Sequence, residues 1–147
     1  MGFFVGSIFA KYMESSVPVG KHDVICVQAD TKKDAKRLLL NRAKSEWPES
    51  KGWFSHRVAV CNLDALIAKL RAMDPSYSSH TVFVGSQFAT KFENGGKNAN
   101  AVLGVSADSQ EYAEVLFLEG VNAHFPRRNG WVGHSFVYKT LLELIKE

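Results

Sequence analysis

Hydrophobic and polar residues alternate along several short stretches of the chain, and four of these stretches begin with a histidine. Each has the form His-x-apolar-x-apolar, and they start at His22, His56, His80 and His134. Because successive side chains of a strand point to opposite faces, each histidine shares a face with the two apolar residues after it. The pattern predicts four strands, each with a histidine at the start of its inward face.

An apolar, aromatic run over residues 3–13 precedes the first of these strands. The segment 14–20 between them contains serines, a proline and a glycine, which are typical of a turn. We therefore predict that the chain opens with a hairpin. The runs at 53–61 and 81–85 contain the strands already predicted from His56 and His80, and a short apolar run at 101–106 predicts a further strand.

Apolar residues spaced three and four apart predict a helix over residues 31–47, with Thr31 and Asp34 at the spacing of a capping box. Pro48 ends it. A second helix over 63–73 follows Asn62 as its N-cap, and a short one starts at Thr140. Residues 108–119 have capping residues but are apolar enough to form either a helix or a strand, and the pattern leaves both open.

Residues 86–100 form the one long stretch without periodicity, and their glycines and asparagines predict a mobile loop. We find no long internal repeat apart from the histidine pattern, so the chain is predicted to form a single globular domain over residues 1–147. The predicted fold is α+β, with a mixed, mostly antiparallel sheet of five to seven strands and two main helices packed on it. The alternative is a three-layer α/β fold.

Composition supports one compact core, because the 147 residues are 46% hydrophobic and 22% charged. The formal charge of +3 excludes nothing by itself but permits a local basic patch. Cys26 and Cys61 lack metal-site spacing, which favours buried, reduced thiols and a cytoplasmic location. Lys11 interrupts the apolar N-terminus too early for a membrane span, so we predict no membrane association.

The dipeptide Asn129-Gly130 lies between alternating segments and predicts a hairpin with a two-residue turn. In that register Arg128 lies opposite Trp131, with His124 and Ser135 further along the same face. Arginine can pair with phosphate and tryptophan can stack on a base, so this face suits a planar, anionic ligand. The predicted ligand-binding residues are Arg128, Trp131, His124, Arg127, Ser135 and Lys97. An exposed cation–aromatic pair without a ligand is the structural alternative.

The first helix offers a second contact surface, because six of its residues between Lys32 and Lys44 are basic. Such a stripe can follow a phosphate backbone, although it is also typical of a solvated helix face. We predict no metal site and no catalytic cluster, since the histidines mark the amino ends of strands, whereas open α/β sheets bind ligands at the carboxyl ends. No cofactor motif occurs in the chain.

These observations favour a non-enzymatic protein that captures a nucleotide-like or nucleic-acid ligand. One alternative is a small phosphoryl-transfer hydrolase that uses His134 or His124 as acid or base, which requires two titratable groups in one cleft. Another is a protein-interaction or inhibitor module centred on Trp131. A small chain of this kind is also compatible with an accessory protein of a phage. The sequence does not determine the oligomeric state.

Overall fold

The computed structural model describes residues 1–91 and 97–146. In chain order the elements are β1 (Gly2–Glu14), β2 (Val17–Ala29), α1 (Lys32–Glu46), β3 (Phe54–Asn62), α2 (Leu63–Met73), β4 (Thr81–Lys91), β5 (Lys97–Ala107), α3 (Gln110–His124), β6 (Trp131–Thr140) and α4 (Leu141–Lys146). Short 3-10 helices at Glu49–Lys51, Tyr77–Ser79 and Arg127–Asn129 connect some of them.

The strands form two three-stranded antiparallel sheets, in the orders β2-β1-β3 (sheet 1) and β5-β4-β6 (sheet 2). The α+β class is therefore confirmed. The prediction of one sheet with five to seven strands is wrong, because the central strands β1 and β4 each pair only with strands from their own part of the chain. The opening hairpin is confirmed, with β1 and β2 paired along their full length.

The two sheets belong to two copies of the same unit. The first half (β1 to α2) and the second half (β4 to α4) both have the order strand, strand, helix, 3-10 helix, strand, helix. The first strand of each half, β1 or β4, lies in the middle of its sheet. This internal repeat was not found in the sequence analysis, and the expectation that no long repeat exists is wrong.

The repeat has a clear signature in the sequence. Residues 4–10 read Phe-Val-Gly-Ser-Ile-Phe-Ala, and residues 83–89 read Phe-Val-Gly-Ser-Gln-Phe-Ala. The pattern Pro-x-x-x-Gly-Trp-x-x-His also occurs twice, over residues 48–56 and 126–134. From the first helix onward, equivalent residues of the two halves differ by about 78 in number, and a search for self-similarity at that distance would have found them.

Capping side chains begin the helices where the sequence predicted. Thr31 Oγ1 accepts the backbone N–H of Asp34 at 3.1 Å, and Asn62 Oδ1 accepts that of Ala65 at 3.0 Å. These bonds satisfy N–H groups that the first turn of a helix leaves unpaired. For residues 108–119 the sequence pattern allowed either a helix or a strand. Ser109 caps α3 there in the same way, by accepting the N–H of Tyr112. That segment is a helix.

Each long helix covers the outer face of its own sheet. Leu39 of α1 and Phe117 of α3 are fully buried at equivalent positions, and each lies directly over a glycine of the central strand. A Cβ atom at Gly6 would come within 2.6 Å of Leu39, and one at Gly85 within 2.6 Å of Phe117. The glycine in each Phe-Val-Gly-Ser motif therefore allows the helix to approach the sheet.

The inner faces of the two sheets meet, and α2 and α4 close the space between them. Val5 of β1 and Val84 of β4 belong to one buried cluster with Leu63 of α2 and Leu144 of α4. Each of these two helices contacts a strand of the opposite half, α2 on β5 and α4 on β2. The halves thus contact each other as the two subunits of an isologous dimer do, through an approximate two-fold relationship.

The predicted hairpin at Asn129-Gly130 is wrong. Its first strand would have included residues 121–124, which form the last turn of α3, and residues 127–129 form a 3-10 helix. Gly130 ends that turn with φ of 93°, a left-handed conformation that glycine adopts without strain. Gly52 ends the equivalent turn of the first half with the same φ. The dipeptide Asn129-Gly130 thus marks a turn that occurs in both halves of the repeat, and not a hairpin.

The irregular segment predicted over residues 86–100 is also corrected. Residues 86–91 continue β4, residues 97–100 begin β5, and the two strands pair as far as Lys91 and Lys97. Residues 92–96 lie outside the described part of the chain. Both cysteines are free thiols, with Cys26 buried and Cys61 partly buried. None of the helices in the described ranges is long and apolar enough to cross a bilayer.

Candidate functional site

The six residues predicted to bind a ligand do not form one hairpin face. His124 ends α3, Arg127 and Arg128 lie in the exposed 3-10 turn, Trp131 begins β6, Ser135 lies in the middle of β6, and Lys97 begins β5. The register of sheet 2 does bring some of them together. Lys97 pairs with Lys91, and Lys91 pairs in turn with Trp131, which directly follows the turn that carries both arginines.

Trp131 has a structural role that the repeat reveals. Its ring lies 5.0 Å from that of Phe125, and Lys91 Nζ lies 5.7 Å from its centre. In the first half Trp53 occupies the equivalent position and contacts the rings of Trp47 and Tyr12. Because both halves place a tryptophan against the aromatic residue that ends the long helix, this contact belongs to the packing of the unit.

Two of the four strand histidines serve the same structural purpose. His56 Nε2 donates to the carbonyl of Trp47 at 2.6 Å, and the equivalent His134 Nε2 donates to that of Phe125 at 2.5 Å. Each bond ties the third strand of a sheet to the end of its long helix and satisfies a carbonyl that the helix leaves unpaired.

The remaining histidines have separate partners. His80 Nδ1 contacts Asp74 Oδ2 at 3.0 Å, and His124 Nδ1 donates to Gln87 Oε1 at 2.6 Å. Gln87 is fully buried where the first half has Ile8, and its Nε2 atom has no hydrogen-bond partner among the described residues. Across residues 1–91 and 97–146, no three metal-ligating side chains are grouped closely enough to hold a metal ion.

The fourth strand histidine, His22, belongs to a hydrogen-bonded chain that crosses the contact between the two halves. The equivalent serines of the two Phe-Val-Gly-Ser motifs, Ser7 and Ser86, are fully buried and lie 2.5 Å apart. His22 Nδ1 lies 2.7 Å from Ser86 Oγ, and Asn100 Nδ2 donates to Ser7 Oγ at 2.9 Å. His22 and Asn100 are equivalent residues of β2 and β5. At the exposed end, His22 Nε2 lies 2.8 Å from Ser135 Oγ.

The donor of each hydrogen bond in this series, from Asn100 to Ser135, can be assigned by counting protons. Asn100 donates to Ser7, so the Ser7 hydroxyl can donate to Ser86 and the Ser86 hydroxyl to His22 Nδ1. The proton of His22 then lies on Nε2 and is donated to Ser135. In the opposite direction the Ser7 hydroxyl proton would lack an acceptor, which is costly in a buried site.

This assignment does not activate Ser135 as a nucleophile, because a general base must accept the hydroxyl proton, whereas His22 donates to it. Burial lowers the pKa of His22 from 6.5 to about 4, so the imidazole is neutral at physiological pH. The chain of hydrogen bonds joins the halves through neutral groups.

A basic groove lies between α1, β3 and β5, with a volume of about 480 Å³. Lys36, Arg57 and Lys97 contribute cations to its lining, and His56, Asn98 and Asn100 contribute polar groups. None of the ten described residues that line it is acidic. The Arg57 guanidinium donates to the carbonyl of Asn98 and so holds β3 beside β5. In the described part of the chain, Lys36 and Lys97 form no ion pair.

Lys97 in the groove lies beside Lys91, and Lys91 beside Trp131, so the groove adjoins a row of three residues across sheet 2. We call the combined surface the basic band, and it consists of Lys36, Arg57, Lys97, Lys91, Arg127 and Arg128. The sequence analysis identified Lys97, Arg127 and Arg128 but missed Arg57 and Lys91, and it placed Lys36 only on a general basic helix face. The contact between β3 and β5 that joins them is between residues far apart in the chain, and no local pattern encodes it.

The repeat provides an internal comparison for the charge of this surface. Helix α1 has six Lys and Arg residues against two acidic ones, whereas α3, in the equivalent position, has three glutamates and neither Lys nor Arg. Both helices pack on their sheets through the same buried positions. The fold therefore accepts either sign of charge, and packing does not explain the basic residues of α1.

Comparison with known proteins identifies no relative, since no family matches the chain and neither the curated proteins nor the solved structures compared with it contain a match.

Proposed function

We propose that the protein is a non-enzymatic binding protein that captures a nucleic acid through its phosphates, which lie along the basic band. The observation that carries this proposal is the groove between α1, β3 and β5, whose described lining residues include three cations and no carboxylate. Lysine and arginine that neutralise phosphates release condensed counterions, and this release supplies sequence-independent affinity for a polyanion.

The shape of the band favours an extended polyanion over a single nucleotide. Lys97, Lys91 and Trp131 lie side by side on three neighbouring strands, which are spaced about 4.8 Å apart. Lys36 and Arg57 extend the surface on one side of this row. Among the described residues that line the groove, the His56 imidazole is the one aromatic ring, so phosphate contacts supply the binding energy within the groove in this proposal.

The hydrolase alternative receives no support from a specific contact. His134 donates to a backbone carbonyl and His124 to Gln87, and neither is hydrogen-bonded to a second titratable group within residues 1–91 and 97–146. The described residues contain one close histidine–carboxylate pair, His80 with Asp74. The Trp131 ring packs against Phe125 of the same half, and this contact does not support an interaction module centred on Trp131.

The double variant Lys36→Ala/Lys97→Ala tests the proposed function. Because each lysine neutralises phosphate charge in this proposal, we expect the variant to bind a fluorescent oligonucleotide about tenfold more weakly. The slope of log affinity against log salt should become shallower by about one per lysine removed. Fluorescence anisotropy over a salt series, with single-stranded DNA, single-stranded RNA and duplex probes, measures both quantities.

The matched control is Lys69→Ala/Lys146→Ala, which removes the same charge from exposed positions of α2 and α4. It should retain most of the affinity. Equal losses in the two double variants would show that net charge alone causes binding, and the absence of binding by the wild type at low salt would refute the proposal. Arg57 is unsuitable for this test, since its loss would also break the contact with Asn98.

A further inference from the structure

The outer face of α3 exposes large apolar side chains in an acidic setting. Tyr112, Val115 and Leu118 are 49%, 47% and 54% exposed, at successive spacings of three residues along the helix. Glu111 and Glu119 are exposed on the same face. Side chains three and four apart lie next to each other on a helix, so the three apolar residues form one stripe with a carboxylate on each side.

A groove of about 310 Å³ beside this stripe makes it a larger surface. The groove lies between α2, β5 and α3, and Leu70, Met73, Tyr112 and Leu116 give it apolar walls. Asp74 and His80, which contact each other, also line the groove, and Met73 in its lining is 70% exposed. We call the stripe and the groove together the acidic docking face. A contiguous exposed apolar surface of this kind, with a polar rim, is typical of an interaction site.

The equivalent face of α1 shows that the fold does not require these residues. Lys33, Asp34 and Arg37 occupy the α1 positions that correspond to Glu111, Tyr112 and Val115 of α3. The two helices otherwise bury the same positions against their sheets. Leu118 corresponds to Leu40, which is only partly exposed and lines the basic groove. The other two stripe positions are charged in α1, so the complete exposed apolar stripe occurs in one copy of the repeat only, and stability of the unit does not explain it.

The chemistry of the face specifies its occupant. The exposed carboxylates of Glu111 and Glu119 call for cations on the partner, and the apolar stripe and groove call for large apolar side chains at helical spacing. A second copy of this chain fits poorly, because the basic helix α1 exposes no large apolar residue to match the stripe. Helix α4 exposes Leu142 and Ile145, but it has only six residues and carries the exposed Glu143. We propose that the acidic docking face binds a basic amphipathic helix of another protein, with an apolar anchor residue seated in the groove.

A synthetic peptide probes this surface directly. The probe is an amphipathic helical peptide with leucines along one face and lysines along the other, labelled so that its binding to the protein of residues 1–147 can be measured by fluorescence anisotropy. Two comparison peptides serve as controls. The first has the same composition in scrambled order, and the second has glutamate in place of each lysine. We expect the amphipathic basic peptide to bind at least about tenfold more tightly than either. Equal binding of the ordered and scrambled peptides would overturn the proposal.

The variant Glu111→Lys/Val115→Arg tests the location, since it installs on α3 the residues that the equivalent positions of α1 already carry. We expect it to fold normally and to bind the peptide at least about tenfold more weakly. Tyr112→Asp, which also copies α1, should weaken binding too. The control Glu46→Lys/Val17→Arg makes the same charge change at exposed residues outside the face and should retain the affinity. Retained binding in both docking-face variants would refute the assignment.

Discussion

Replacing Phe117 with alanine is expected to destabilise the protein by about 3–5 kcal/mol, which is the range for removing a fully buried phenylalanine. The side chain has no solvent exposure, and its ring lies 5.7 Å from that of Phe136 and 5.3 Å from that of Tyr138. It fills the space above Gly85, so its loss leaves a cavity between α3 and sheet 2. Denaturant unfolding followed by circular dichroism measures the free energy of unfolding.

Leu118→Ala is the control for that substitution, because it shortens a neighbouring side chain of the same helix that is 54% exposed. We expect its effect to stay within about 0.5 kcal/mol. A loss below about 1 kcal/mol for Phe117→Ala would contradict the packing of α3 on sheet 2.

The contact with Gly85 can be measured by a double-mutant cycle. A Cβ atom at this position would lie 2.6 Å from Phe117 Cε1 and 3.0 Å from the carbonyl oxygen of Val137. Gly85→Ala should therefore destabilise the wild type by about 1–3 kcal/mol through overpacking. In the Phe117→Ala background the ring is absent and only the backbone clash remains, so the cost should be smaller by about 1 kcal/mol.

The helices of this protein could be predicted from the sequence because their determinants are local. Thr31 and Asn62 cap the helices that they were predicted to cap, and apolar residues at spacings of three and four mark the buried faces. The division into two sheets could not be predicted from those patterns. This division depends on which strands pair. Alternating residues predict that a segment forms a strand, but they do not identify the neighbouring strand in the sheet.

The end of α3 shows how a correct local signal led to a wrong element. Asn129-Gly130 does require a left-handed glycine, but that glycine ends a 3-10 helix and not a hairpin turn. Residues 113, 117 and 121, all buried, have the four-residue spacing of a helix, which continues to residue 124. Comparison with the turn at Gly52 would have resolved the choice, since Pro48 and Trp53 flank it as Pro126 and Trp131 flank the second.

The candidate site was predictable only in part. The basic character of α1 and the cations Lys97, Arg127 and Arg128 are visible in the sequence. Their arrangement depends on β5 of one half lying beside β3 of the other, a contact over 41 residues from Arg57 to Asn98. Ser7 and Ser86 are ordinary strand residues until the repeated motif is recognised, and their contact spans 79 residues.

Acid is expected to destabilise the protein through His22. Burial lowers the pKa of its imidazole in the folded protein to about 4, whereas an unfolded chain has the ordinary value near 6.5. The unfolded state therefore binds the proton more readily, and stability falls as the pH drops through the window between these two values. The loss should total about 3 kcal/mol once the pH is below both, because one pKa unit corresponds to about 1.4 kcal/mol.

His22→Asn separates this effect from that of the carboxylates. Asparagine is the residue at the equivalent position 100, does not titrate, and keeps an oxygen that can accept the Ser86 hydroxyl. We expect the variant to be less stable than the wild type near neutral pH, where a hydrogen bond to Ser135 is lost. Its stability should fall less between about pH 6.5 and about pH 4, by up to about 3 kcal/mol.

Ser135→Ala provides the matched comparison for His22→Asn. It removes the exposed end of the hydrogen-bonded chain but leaves the imidazole buried against Ser86, so it should keep most of the acid sensitivity. Unfolding free energies across the pH window test these expectations, and NMR titration of the His22 ring measures its pKa directly. A ring that titrates near 6.5 in the folded protein, or equal pH profiles for wild type and His22→Asn, would show that burial of this imidazole does not make the fold sensitive to acid.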